Sequence, residues 1–253
     1  MKRAILTLGL AIGAMTASPA MANVLDGDPL PRVEDPICPG VSGLEEEAAI
    51  QLIDRIRFNA ERLGLELADP ATCSVNMLVA FVDDGQEAVE RLMRSQPRLF
   101  DTLSVPERRE LARSSEPVRA WNIVVTRTRD GMFVPQRENL VQIPQATMWS
   151  AHSKIYVPTR QDVLSSVVLF DGAAANGLSV VQLADYAAMR SFAVDYEAYP
   201  EQEETILSLF EGASDRAAEL TEADLVFLRN LYSGIPNLPG RSRQRSAEFE
   251  LEG

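Results

Sequence analysis

His152, Cys38, Cys73 and a set of arginines are the residues of this 253-residue chain whose chemistry is most restrictive. His152 is the only histidine. In Ser150-Ala151-His152-Ser153 it has the residue type of a general base near neutral pH. A Ser-His-Asp arrangement also needs a marked nucleophile, and no Gly-x-Ser-x-Gly elbow occurs. Gly40-Val41-Ser42-Gly43 and Gly177-Leu178-Ser179 carry only parts of that pattern. A hydrogen-bonded structural histidine is the competing reading. A zinc site of the His-Glu-x-x-His kind requires two imidazoles one helical turn apart, which one histidine does not supply. Two cysteines and one histidine give three ligands where a structural zinc takes four. Asp83-Asp84-Gly85 and Asp69-Pro70 do not have the spacing of an EF-hand loop. No metal and no cofactor is expected.

An even pair of cysteines in an exported chain is more often a disulfide than a reactive thiol. Cys38–Cys73 would close a loop of about 35 residues, worth roughly 3 to 4 kcal/mol by chain entropy.

A third constellation lies in residues 119–160. Arg119, Arg127, Arg129, Arg137, Lys154 and Arg160 stand there against only Asp130 and Glu138, a local balance of +4 in a chain of net charge −13. Both tryptophans, Trp121 and Trp149, fall in the same stretch. Arginine suits planar recognition of carboxylate or phosphate, and tryptophan suits stacking or anchoring an interface. One reading is therefore a surface for an anionic cell-envelope component or an acidic protein partner. The other has these arginines paired internally with acidic helices and the indole rings filling the core. The acidic surplus repels polyanions, so nucleic acid is not an expected ligand.

The segment Phe170-Asp171-Gly172-Ala173-Ala174-Ala175-Asn176-Gly177-Leu178 resembles in spacing the zincin metalloprotease signature His-Glu-x-x-His-x-x-Gly-Leu. Phe170 and Ala174 stand at the two metal-ligand positions, Asp171 at that of the general base and Gly177 at the turn. Leu220-Thr221-Glu222-Ala223-Asp224 resembles a late zincin helix. Residues 182–190, from Gln182 to Arg190, are similar to a segment of an exported proteobacterial family of uncharacterised function. The resemblance covers roughly residues 155–232. It implies a degenerate zincin-like scaffold without metal ligands, and hence no metallopeptidase activity. An ordinary amphipathic helix with a glycine stop is the plainer reading of the same residues.

These residues must be positioned by elements that the pattern also predicts. Met1-Lys2-Arg3, an apolar stretch and Ala20-Met21-Ala22 read as a signal peptide over residues 1–22, with Asn23 as the mature terminus. Its loss removes two cations and takes the charge to −15. No asparagine after Asn23 begins a glycosylation sequon, which favours a bacterial periplasm, with secretion as the alternative. No membrane span is expected in the mature chain. Residues 23–43 read as an extended Pro-rich acidic leader held by Cys38. Residues 44–239 read as one globular domain, and 240–253 as a disordered tail.

Within the domain, apolar spacing predicts a helix over 44–63, a strand over 76–82 and a helix over 86–95. Ser104-Val105-Pro106-Glu107 reads as a capping box for a helix to Arg113, and 119–128 as a strand before an Asp130-Gly131 turn. Residues 132–153 read as irregular or strand-like and 154–157 as a short strand. Thr159 is expected to cap a helix running through Val163, Val167 and Asp171 to Gly177. Further helices are expected after Ser179, over 205–210 and after Thr221. The fold class is α+β, helix-dominated, with a small sheet. The function expected is that of an exported, non-catalytic binding or envelope-accessory protein. A periplasmic hydrolase with a non-standard site, zincin-derived or using His152, is the alternative.

Overall fold

The computed structural model describes residues 29–134, 157–194, 204–212 and 216–239. Its strands form one mixed sheet in the order β1-β2-β4-β3 with helices on both faces, the α+β architecture expected from the sequence. β1 (Pro39–Ser42) and β2 (Met77–Val82) run parallel, joined by α1 (Glu46–Arg62). α1 buries Leu52, Ile56 and Ala60, four residues apart, and carries Glu46 and Glu47 where the helix dipole favours negative charge. Gly43 ends β1 with φ +83, and the Phe81 carbonyl lies where a side chain would sit. Only glycine fits both conditions.

After β2 come α2 (Gly85–Ser95), a 3₁₀ turn (Pro97–Phe100) and α3 (Val105–Arg113). They cover one sheet face, where Val89 and Phe100 pack on Trp121, Val167 and Leu169. The opposite face is covered by α1, by α5 (Val180–Phe192), by a second 3₁₀ turn (Ile206–Phe210) and by α6 (Glu222–Tyr232). Ser104/Glu107 forms the capping box read from the sequence, and Ser179/Gln182 and Thr221/Asp224 form boxes at the two helix starts expected there. Residues 205–210 form a 3₁₀ turn, with the Thr205 hydroxyl accepting from the Leu207 amide, where a helix was expected.

The main departure is at residues 159–171. The expected helix is instead β4 (Thr159–Asp171), a 13-residue strand paired in parallel with β2 and antiparallel with β3 (Val118–Thr128). A strand with neighbours on both edges and helices on both faces is apolar on both sides, so it shows no two-residue alternation. Val163, Val167 and Val168 then satisfy helical spacing by accident, although β-branched residues favour a strand. Phe170 and Asp171 close this strand, and only Gly172–Ala175 makes a helical turn, α4. The Phe170 ring is fully buried, stacked on Phe81 at 5.0 Å and tilted against Tyr186 at 5.8 Å.

The described part of the leader, from residue 29 to β1, lies along the sheet. Arg32 pairs in parallel with Asp162, its amide donating to the Gln161 carbonyl at 3.2 Å. Cys38 is bonded to Cys73, with Cα atoms 6.1 Å apart. Among the described residues no helix is long and apolar enough to cross a membrane. Residues 1–28, which include the expected signal peptide, the segments 135–156, 195–203 and 213–215, and residues 240–253 lie outside the described residues.

Candidate functional site

Among the described residues β3 is the last strand of the sheet, and its register fixes which backbone groups look outward. The Asp171 amide donates to the Pro117 carbonyl at 2.9 Å, so Arg119, Trp121 and Ile123 turn their backbone groups to β4. Val118, Ala120, Asn122 and Val124 alternate with them and face away. The register shift at Ile123/Val124 passes over Leu164 of β4, leaving the alternation along β3 intact. The hairpin after Gly131 covers the far half of this edge: the Thr128 amide donates to Met132 at 2.8 Å and the Val134 amide to Thr126 at 3.1 Å. Over Val118–Val124 the outward backbone groups have no partner among the described residues.

A groove of about 590 Å³ runs beside this open edge. Leu103, Leu111, Ala120 and Val124 give it an apolar lining, and Glu107, Glu110 and Glu116 an acidic one. α3 forms one wall, and it is held in place locally. Its capping box starts it, and the Gln86 side-chain amide donates to the carbonyls of Arg113 and Ser114 at its end, both at 3.0 Å. A second groove of about 540 Å³, lined by Ile123, Val125, Phe133 and Leu164 among others, meets the first at Thr102. Three buried polar atoms in the lining have no hydrogen-bond partner among the described residues: Thr102 Oγ1, Asn122 Oδ1 and Arg119 Nε. The Asn122 amide nitrogen donates to the Arg190 carbonyl, which aims its side chain at α5.

The arginine and tryptophan island is distributed otherwise than a cationic surface requires. Arg119 is buried, donating to Asp171 at 2.9 Å and to the Ser114 carbonyl at 2.8 Å. A side chain at Gly85 would run into this pair. Arg127 is buried against Asp35 at 2.8 Å and Asp162 at 3.2 Å, with its guanidinium 4.5 Å from the Phe133 ring. Arg160 pairs with Glu34 and Asp162. These three arginines therefore pair internally, with carboxylates of the leader and β4 rather than of acidic helices. The Trp121 ring stacks on Phe100 at 5.0 Å and donates to the Leu99 carbonyl at 2.8 Å, inside the core. Arg129 follows β3 and is exposed. Arg137, Trp149, Lys154 and His152 lie outside the described residues.

The electrostatics of this cluster are set by burial. Desolvation pushes the Asp162 carboxyl above its ordinary value, outweighing the flanking Arg160 and Arg127 guanidiniums. The Arg127 guanidinium is held above its ordinary range, first by its hydrogen bonds to Asp35. A second buried network centres on Asp185 of α5. Its oxygens accept from Arg55 Nε and Nη2 at 2.7 Å each, from Asn59 at 2.6 Å and from the Leu220 amide at 2.7 Å. This network ties α1, α5 and the start of α6 together.

Sequence reasoning missed the groove, because an open sheet edge is a property of strand order. It also missed Asp185, whose signal was available: a carboxylate inside an otherwise apolar helical run implies a buried partner. The chain matches no family model, no curated protein and no solved structure.

Proposed function

We propose that the chain is an exported binding or envelope-accessory module of the bacterial periplasm that acts through the groove along the edge of β3. Residues 1–22, with their basic start and Ala-x-Ala end, support export, and the Cys38–Cys73 bridge fits an oxidising compartment. The observation that carries the binding reading is one juxtaposition: among the described residues, unpaired outward backbone groups at Val118–Val124, three orphaned polar atoms and a 590 Å³ groove share one edge. Buried polar groups without partners are uncommon in folded proteins, and a bound molecule would satisfy these. This moves the site away from Arg119, Arg127 and Arg160, which are held by carboxylates of the same chain.

The test is a photoreactive amino acid at Val124, in the groove, compared with one at Ile50, which is 51% exposed on α1. Irradiated in cells that export the protein, the Val124 probe is expected to give a discrete adduct that the Ile50 probe does not. Equal labelling from both positions, or none from Val124, contradicts the reading. A turnover abolished by replacing His152 would favour the hydrolase alternative.

A further inference from the structure

Resting on that reading, we infer that the groove takes an extended, cationic polypeptide segment, which adds to the open edge of β3 as a further strand. The edge is competent for pairing, because its far half already pairs with Met132–Val134 of the same chain. An incoming segment would continue that ladder from Thr126 toward Val118. Seven residues of open edge offer roughly 23 Å, at about 3.3 Å per residue, enough for a peptide of similar length. Main-chain hydrogen bonds would provide affinity without reading sequence, and the lining would select side chains on alternate positions.

The lining selects by charge as well as shape. Glu107, Glu110 and Glu116 are exposed along it, and among the described residues only the Glu107 carboxylate of the three accepts a hydrogen bond, from the Ser104 amide. The two arginines that border the groove do not reverse this sign. Arg119 faces Asp171, and Arg190 also has a partner. Asn122 Oδ1 accepts and cannot donate, so it favours an N–H group, while Arg119 Nε is an unmet donor that a main-chain carbonyl of the segment would meet. With the chain at −13, a basic segment is steered toward this face and a polyanion is repelled. The partner's sign is thus opposite to the one that the arginine count suggests.

Fluorescence anisotropy with the full chain tests this, using a labelled ten-residue peptide of alternating Lys and Val. The lysine peptide is expected to bind, with affinity at least tenfold weaker for the Glu110→Lys, Glu116→Lys double variant and for a peptide with Glu in place of Lys. Methylating the amides of the Val positions, or of the Lys positions, is expected to have unequal effects. Only one set faces β3, and its methylation should cost about tenfold or more. Ala120→Pro, which removes one outward N–H at an edge position, should weaken binding similarly. The charge variants are at exposed positions and keep the test valid if the proline variant does not fold.

Equal loss from both methylated peptides overturns strand addition, and equal binding of the Glu peptide overturns the charge selection. A chain ended after Pro239 that binds the lysine peptide several-fold more tightly would make the basic run from Arg241 to Arg245 the groove's occupant, and overturns an external partner. Absence of binding by any peptide overturns this inference alone, since an adduct at Val124 would still support the groove as a site.

Discussion

Replacing Asp185 with Ala is expected to lower stability by about 4 kcal/mol and the melting temperature by roughly 8 to 16 °C. The Asp185 side chain is wholly buried and accepts four hydrogen bonds, two of them from Arg55, whose side chain is 18% exposed. Those bonds hold the Arg55 guanidinium well above its ordinary range. Deletion leaves a partly buried cation, the Asn59 amide and the Leu220 N–H without their acceptor at once, and such losses cost far more than a surface ion pair. Asp185→Asn should be intermediate, since it keeps one acceptor but turns two new donors toward donors. The comparison that isolates burial is Glu219→Gln, which removes the other carboxylate on Arg55. Glu219 is 61% exposed, so the expected loss is under about 1 kcal/mol. Equal effects at Asp185 and Glu219 in denaturant unfolding would contradict this account.

Arg127→Ala is expected to cost about 3 kcal/mol, measured by the same unfolding experiment. The substitution strips one partner from Asp35 and from the buried Asp162, and it removes the cation beneath the Phe133 ring. Loss of stability is thus the chief effect expected of this arginine, rather than loss of a ligand. The pH dependence at Asp162 has a definite sign. Its folded carboxyl titrates above the ordinary 3.8, so folding favours the protonated form. Its contribution is fully present below that value and is lost as the pH rises through the raised one. The stability of the wild type relative to Asp162→Asn should therefore fall between about pH 4 and the pH at which the buried carboxyl has ionised. A relative rise over that window would mean that Arg127 and Arg160 outweigh burial.

Local signals were the most legible part of this chain. Ser104, Ser179 and Thr221 announce helix starts within three residues of sequence, and each forms its box. The cysteine pair was readable because a chain with two thiols leaves one pairing. β4 was not readable as a strand, since its burial on both faces erases the alternation on which a strand assignment rests. The arginines show a different limit. Composition counted six cations between residues 119 and 160, but it does not say where a side chain points. Asp35, Asp162 and Asp171 reach Arg127, Arg160 and Arg119 only through the folded leader and sheet. The groove was least legible of all. Val118, Ala120, Asn122 and Val124 line it because β3 ends the sheet, and strand order is not encoded in any window of the sequence.

Amide hydrogen exchange on the unliganded protein reports whether β3 from Val118 to Val124 is an open edge. Alternation is expected: slow exchange at Arg119, Trp121 and Ile123, whose amides face β4, and fast exchange at Val118, Ala120, Asn122 and Val124, whose amides face the groove. Uniform protection across all seven amides would show that the edge is already covered and would contradict the account.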